Sequence, residues 1–334
     1  MASGDVINYS VRPAKTVERK IIKDIFSNLN AFIPLNEYRY IGFGSKYFSD
    51  FKIFHKELHI EDMISIEDDE ENKEKYIFNN PFDCIQLNFG KSTDVLTDLI
   101  YEKPFICWLD YDYALEQSVI DDLDILLENL PEESGSVISI SLNVRPYRHN
   151  SLKEELKKEG THSELLEDKL QKIVEKKFIP FDLPKQGLNK ADIHSEIIRQ
   201  IITNKILNKL KLINSALEDS LKWEFKQIFN FLYKDGAEMG TWGWLFYKSK
   251  DQDKFEKSGL EHSEFYSSNE QIYTITIPNL TIKEINQLLE KMPLKEGKEI
   301  DRSALPGSIY SECDIYNFSK IYKYFPSFVN AEFG

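Results

Sequence analysis

Two glycines and an acid stand out for their chemistry. Gly42-Phe43-Gly44-Ser45 lies between a short β-prone run, Tyr38-Arg39-Tyr40-Ile41, and a stretch in which Tyr47, Phe48, Phe51, Phe54 and Leu58 recur at helical spacing. A Gly-x-Gly at a strand-to-helix turn allows a tight bend and close approach of backbone to a ligand, and the helix start presents free N–H groups to it. Glu67, 25 residues after Gly42, ends the next β-prone run, Met63-Ile64-Ser65-Ile66. An acid at that place can accept hydrogen bonds from both ribose hydroxyls of a nucleoside. Asp68, Asp69, Glu70 and Glu71 follow it and read as the acidic start of a helix, where they complement the helix dipole. Tyr47 occupies the position at which a dinucleotide fingerprint has its third glycine. That speaks against an NAD-binding oxidoreductase, which stays as an alternative.

Further along, Phe105-Ile106-Cys107-Trp108-Leu109 runs into Asp110-Tyr111-Asp112. Strand ends of an open parallel sheet are where ligands bind. There an aspartate can act as general base or hold a substrate amine, two close carboxylates can shift one another or take a divalent cation, and a tyrosine can stack or orient. A polar loop capping the next helix is the alternative. Gly90-Lys91-Ser92 follows a strand and opens a helix, but Ile85 stands where a phosphate-binding loop needs its first glycine. His55 and His59 share a helix face with no third ligand near, so no metal site is expected. Arg145, Tyr147 and Arg148 follow the fifth strand and either meet an anionic substrate or lie in a solvated loop. Lys15, Arg19 and Lys20 read as the solvent face of a first helix. Residues 236–244, rich in glycine and tryptophan, form either a β-corner or a substrate-gating loop.

The elements that must position these residues alternate regularly. Pro13 opens an amphipathic helix carrying Val17, Ile21, Ile22, Ile25, Phe26 and Leu29. Strands are then expected at 38–41, 63–66, 84–89, 105–109 and 137–142, with helices between them. The fourth is nearly all apolar, as a central parallel strand should be. This is the pattern of a parallel, right-handed, doubly wound sheet. Residues 151–178 read as charged helix and 190–233 as one or two long helices. Residues 242–247 and 272–277 read as two strands. Thr281 opens a helix with Glu284 in capping-box register, and 300–334 reads as an irregular aromatic tail. The expected division is 1–149 for the α/β core with its N-terminal helix, 150–235 for a helical insertion, and 236–334 for a closing strand pair and C-terminal extension.

Composition sets bounds on function. The chain has 334 residues, 41% hydrophobic and 13% aromatic, enough for a substantial core. The formal charge of −14 is uneven: residues 1–150 hold 15 basic against 27 acidic residues, while 151–334 hold 27 against 29. A large nucleic-acid surface is therefore not expected on the first half. No apolar run is long enough to span a membrane, no signal peptide is visible, and Cys84, Cys107 and Cys313 lack metal-site spacing, which together point to the cytoplasm.

Residues 38–142 resemble the class I S-adenosylmethionine-dependent methyltransferase superfamily. Tyr40-Ile41-Gly42-Phe43-Gly44, Ile66-Glu67, Asn88-Phe89-Gly90-Lys91-Ser92 and Leu109-Asp110-Tyr111-Asp112 fall in order at the four strand ends that handle the cofactor in that superfamily. The resemblance implies a Rossmann-like sheet completed by an antiparallel strand pair and S-adenosyl-L-methionine as cofactor. It places Gly42, Gly44 and Ser45 under the methionine part, Glu67 on the ribose, Asn88 and Gly90 by the adenine, and Asp110, Tyr111 and Asp112 beside the methyl group, and it offers an alternative for Lys15, on an N-terminal helix that covers the cofactor and lets it reach a carboxylate. Two departures stand out: Tyr40 sits where the superfamily has an acid, and the prolines of amide methylators are missing after Asp110. The implied activity is methyl transfer to a small-molecule or protein acceptor. The alternative is an inactive sensing or scaffolding subunit of a bacterial assembly, for instance in defence, with a protein partner or a second copy.

Overall fold

The computed structural model describes residues 12–294 and 309–326. Its first helix, α1 (Pro13–Ser27), turns Val17, Ile21, Ile22, Ile25 and Phe26 inward. Five parallel strands and their crossovers follow: β1 (Arg39–Gly42), α2 (Ser49–Leu58), β2 (Asp62–Glu67), α3 (Lys73–Asn79), β3 (Ile85–Phe89), α4 (Ser92–Asp98), β4 (Phe105–Asp110), α5 (Gln117–Glu128) and β5 (Ser136–Asn143). Next come α6 (His149–Leu156), α7 (His162–Gln171) and the 24-residue α8 (Ala191–Asn214). The chain then returns as β6 (Trp223–Asp235) and β7 (Ala237–Lys248), followed by α9 (Gln252–Ser258), β8 (Tyr273–Ile275), α10 (Ile282–Leu289) and α11 (Glu312–Ile321).

The eight strands form one sheet in the order β3-β2-β1-β4-β5-β7-β6-β8. The first three strands step one way from β1 and the next two step the other way. The order thus reverses between β1 and β4, opening a crevice at their carboxyl ends where ligands of such sheets bind. Both faces are covered, and the side-chain period of two assigns the residues of β4 to them. Ile106 and Trp108 pack under α1 and α2. Cys107, Leu109 and the following Tyr111 pack toward α4, α5 and α8. A sheet buried on both faces explains why β4 reads as an unbroken apolar run.

The expected Rossmann-like α/β sheet is present, with an antiparallel pair at its end that contains the expected 242–247 strand as part of β7, but its partner is a different segment. Residues 223–233, expected to be helical, are most of β6. This strand pairs antiparallel with β7, and β7 pairs antiparallel with β5. The 272–277 segment contributes only β8, which lies parallel to β6 at the sheet's edge and does not touch β7. The hairpin turns on Gly236 alone, at φ 91°, a conformation suited to glycine. The run 236–244 is accordingly turn and strand, not a gating loop. The Thr281–Glu284 capping box forms as expected. Part of the tail expected to be irregular is the helix α11, flanked by short turns, while 300–308 and 327–334 lie outside the described residues. Among the described residues no helix is long and apolar enough to cross a membrane.

Candidate active site

At the reversal point, the Gly42–Gly44 turn leaves β1 and is held by β2. The Gly44 N–H donates to Ser65 Oγ (3.0 Å), and Ser65 Oγ in turn donates to Glu67 Oε1 (2.7 Å). The three residues form a short relay between turn and acid. Gly44 has an ordinary φ of −73°, so its need for glycine is one of space. A Cβ there would lie 2.4 Å from Ser65 Oγ and 2.6 Å from the Phe48 ring, and one on Gly42 would lie 2.6 Å from Tyr40 Oη. Beyond the turn, Ser45 and Phe48 adopt left-handed conformations (φ 49° and 47°), which cost energy in a non-glycine residue and concentrate at functional sites.

Glu67 is buried, at 5% exposure, and burial pushes its carboxyl up to about 8. Hydrogen bonds from Ser65 and the Gly44 backbone pull the other way, while Asp50 and Asp68 add repulsion. The main cause is loss of water around a group with few compensating donors. Such a carboxyl would gain from two hydroxyl donors arriving with a ligand.

Asn88 and Gly90 mark the end of edge strand β3. Asn88 accepts a hydrogen bond from Gln86 (3.0 Å), and Gly90, at φ 146°, donates its N–H to the Glu67 carbonyl (2.9 Å). The end of β3 is thereby tied to the end of β2 at Glu67.

The Asp110-Tyr111-Asp112 run is divided by the pleat. Asp110 faces α1, where Lys15 Nζ bonds its Oδ1 and Glu18 Oε2, each at 2.7 Å. The side chains of Lys15 and Glu18 are 3% and 0% exposed and that of Asp110 is 24% exposed, so only the aspartate end of the pair reaches the crevice. Burial pushes the Glu18 carboxyl up, opposed by Lys15. The Lys15 ammonium also lies 4.5 Å from the Trp108 ring centre, a cation–π contact. Trp108 Nε1 donates to Ser141 Oγ, which shares a 2.8 Å hydrogen bond with Thr241. Tyr111 points to the opposite face. Its hydroxyl donates to Asp122 of α5, its ring packs on Phe43 and Tyr113, and burial pushes its proton affinity well up. Asp112 is exposed. The structure therefore brings Gly42, Gly44, Ser45, Glu67 and Asp110 to one crevice, and it separates Tyr111 from Asp110.

Lys15 and Arg19, expected on a solvent face, are 2% and 5% exposed and turn inward. The N-terminus of α1 is fixed from across the chain: Asp235 accepts the Lys15 N–H at 2.8 Å and the Ala14 N–H at 3.4 Å. Residues that local reasoning missed are Glu18, Asp50 and Thr241. Burial is what sets them apart, and it shows only once α1, α2 and β7 are placed around the crevice. Arg145 and Arg148 are exposed, and Tyr147 packs edge-on against His194. His55 Nδ1 bonds the Ile60 carbonyl at 2.9 Å.

Strand order, reversal point and the glycine turn with its acid make this a class I S-adenosylmethionine-dependent methyltransferase-like fold. A family model described as "Putative O-methyltransferase" matches residues 7–333, and the chain belongs to that family. No curated protein matches the chain. Solved structures with distant similarity include the plantazolicin methyltransferase BamL in complex with a triazolic desmethylPZN analog and SAH (12% identity, 70% of this chain and 85% of that one, TM-score 0.35). Trm1 from Pyrococcus horikoshii with S-adenosyl-L-methionine is another (10%, 72% and 57%, TM-score 0.40). A third comes from the complex of the Haloferax volcanii Trm112 methyltransferase activator with its candidate methyltransferase (12%, 43% and 61%, TM-score 0.29). The chain spans less than two thirds of the last two. At this distance, the strand order and the family model alone establish the fold.

Proposed function

We propose that this chain binds S-adenosyl-L-methionine at the carboxyl ends of β1, β2 and β4 and passes its methyl group to an oxygen acceptor. The observation that carries this is the Gly44–Ser65–Glu67 relay, a buried carboxyl short of donors at the ribose position. Its residues fit the cofactor: Glu67 can accept both ribose hydroxyls as a carboxylate, the glycine turn leaves backbone rather than side chain against the methionine half, and Asn88 and Gly90 frame the adenine. When bound, the cofactor supplies an electrophilic methyl group for in-line displacement. The chain's own work is then mostly positioning. Asp110, half in the crevice and held by Lys15, is placed to take the acceptor's proton, a contribution of roughly 10²–10⁴-fold in such reactions. Asp112 stands at the rim and Tyr111 serves packing. Three free cysteines support a reducing, cytoplasmic setting.

Titration calorimetry with S-adenosylmethionine, S-adenosylhomocysteine and NAD tests the reading. Binding of the first two and not the third is expected, and Glu67→Ala should weaken both by roughly 10–150-fold, the scale of charged hydrogen bonds. Absence of heat with both sulfur ligands overturns it.

A further inference from the structure

The superfamily's strand acid is missing here, because β1 carries Tyr40 two residues before Gly42. The fold puts a different carboxylate in reach. Tyr40 is wholly buried on the α1/α2 face of β1, and its hydroxyl lies so close to Gly42 that an added Cβ would sit 2.6 Å from it. At that point the hydroxyl donates to Asp50 Oδ2, from the first turn of α2. Asp50 is 8% exposed, and burial pushes its carboxyl up while the charge of Arg19 lowers it. An inward carboxylate on a short helix, bonded by a tyrosine hydroxyl and beside the charge of Arg19, gives up hydration that a purely structural position would not need to lose.

We propose that Asp50 is the cofactor-positioning carboxylate of this chain: delivered to the glycine turn by α2 and oriented by Tyr40, it faces the cationic methionine half of S-adenosylmethionine. The acid has moved from strand to helix, and Tyr40 fills the space between. Asp50 acts on the ammonium and sulfonium end and Glu67 on the ribose end, so the two carboxylates divide the cofactor between them. This rests on the cofactor reading above.

The test is calorimetry on the full chain with three probes: S-adenosylmethionine, S-adenosylhomocysteine and methylthioadenosine, the last keeping the nucleoside and lacking the amino-acid end. Asp50→Asn should weaken the first two by about 10–100-fold and leave methylthioadenosine within about twofold. Glu67→Gln should weaken all three. Tyr40→Phe keeps the carboxylate but frees its orientation, so it should reproduce the Asp50→Asn pattern at smaller amplitude. It also serves as the second variant should Asp50→Asn fold poorly, as judged by its melting curve. Equal loss for all three probes in Asp50→Asn and Tyr40→Phe, or no loss for any, overturns the assignment while leaving the cofactor reading intact. Failure of all three probes to bind the wild-type chain overturns both.

Discussion

Replacing Glu67 by glutamine removes one titration and keeps the shape of the side chain. In the folded chain the Glu67 carboxyl is pushed from the ordinary 4.5 to about 8. Between those values the folded state holds a proton that the unfolded state has released, so stability falls as pH rises through this window and levels off above it. Each tenfold change in proton affinity is worth ~1.4 kcal/mol, which makes the whole decline about 4–5 kcal/mol. The 5% exposure of Glu67 leaves little solvent to screen it. Glutamine carries no such penalty at any pH. Urea unfolding of wild type and Glu67→Gln at pH 5, 6, 7, 8 and 9 should therefore show a difference that grows in favour of the variant from pH 5 to 8 and is flat beyond. Taking the difference cancels other titrating groups. The same proton governs ligand binding: wild-type affinity for S-adenosylhomocysteine should rise by up to about tenfold per pH unit below 8, because the carboxylate form accepts the ribose hydroxyls, while the variant's lower affinity should not follow this rise. A stability difference that stays constant from pH 5 to 9 would refute the placement of Glu67 in a water-poor site.

Other perturbations probe the supports of the crevice. Gly44→Ala forces a methyl to 2.4 Å from Ser65 Oγ and should cost ~1–3 kcal/mol or more together with cofactor affinity. Gly243→Ala meets Phe229 at 2.3 Å in the β6–β7 hairpin, so denaturant titration should show a similar loss. Asp235→Ala strips the cap from α1 and should cost ~0.5–2 kcal/mol, read as a lower urea midpoint. Tyr111→Phe removes the bond to Asp122 and should lower stability by about 1 kcal/mol with methyl transfer retained. A fall in kcat at unchanged stability would return Tyr111 to the catalytic group.

The parallel half of the fold was legible because its signals are local. Each strand is a short apolar or alternating run bounded by a turn, and Gly42, Gly44 and Glu67 announce themselves by type and position. β6 was not, for a physical reason. It is buried among neighbours, its register shifts between Gln227 and Phe229, and it places Gln227 and Asn230 inside the protein. The bulge and the buried amides break the alternation and mimic the polar stripe of a helix. Asp235-Gly236, a common hairpin dipeptide, was the available signal for the turn. The division of Asp110 from Tyr111 follows from the pleat once β4 is known to run to Asp110, one residue farther than its apolar run. Glu18 and Asp50 could not be placed from sequence, and Lys15 could be given no named partner, because what makes them part of the crevice is contact with residues far along the chain or on another element. Lys15 and Asp110, for example, lie 95 residues apart.

The Asp235 cap on α1 joins residues 220 positions apart, and this sets a schedule for synthesis. A ribosome adding roughly 5–20 residues per second takes about 10–45 s to pass from one to the other. Throughout that interval the apolar side of α1, with Val17, Ile21, Ile22, Ile25 and Phe26, has been made but β6 has not. A nascent chain of five parallel strands already owns the glycine turn and its acid, and α1 can already pack on α2 through Phe26 and Phe54, yet the N-terminal turn that carries Lys15 still lacks its cap. The start of α1 is thus fixed only after β6 has been made, although the rest of the helix can pack much earlier.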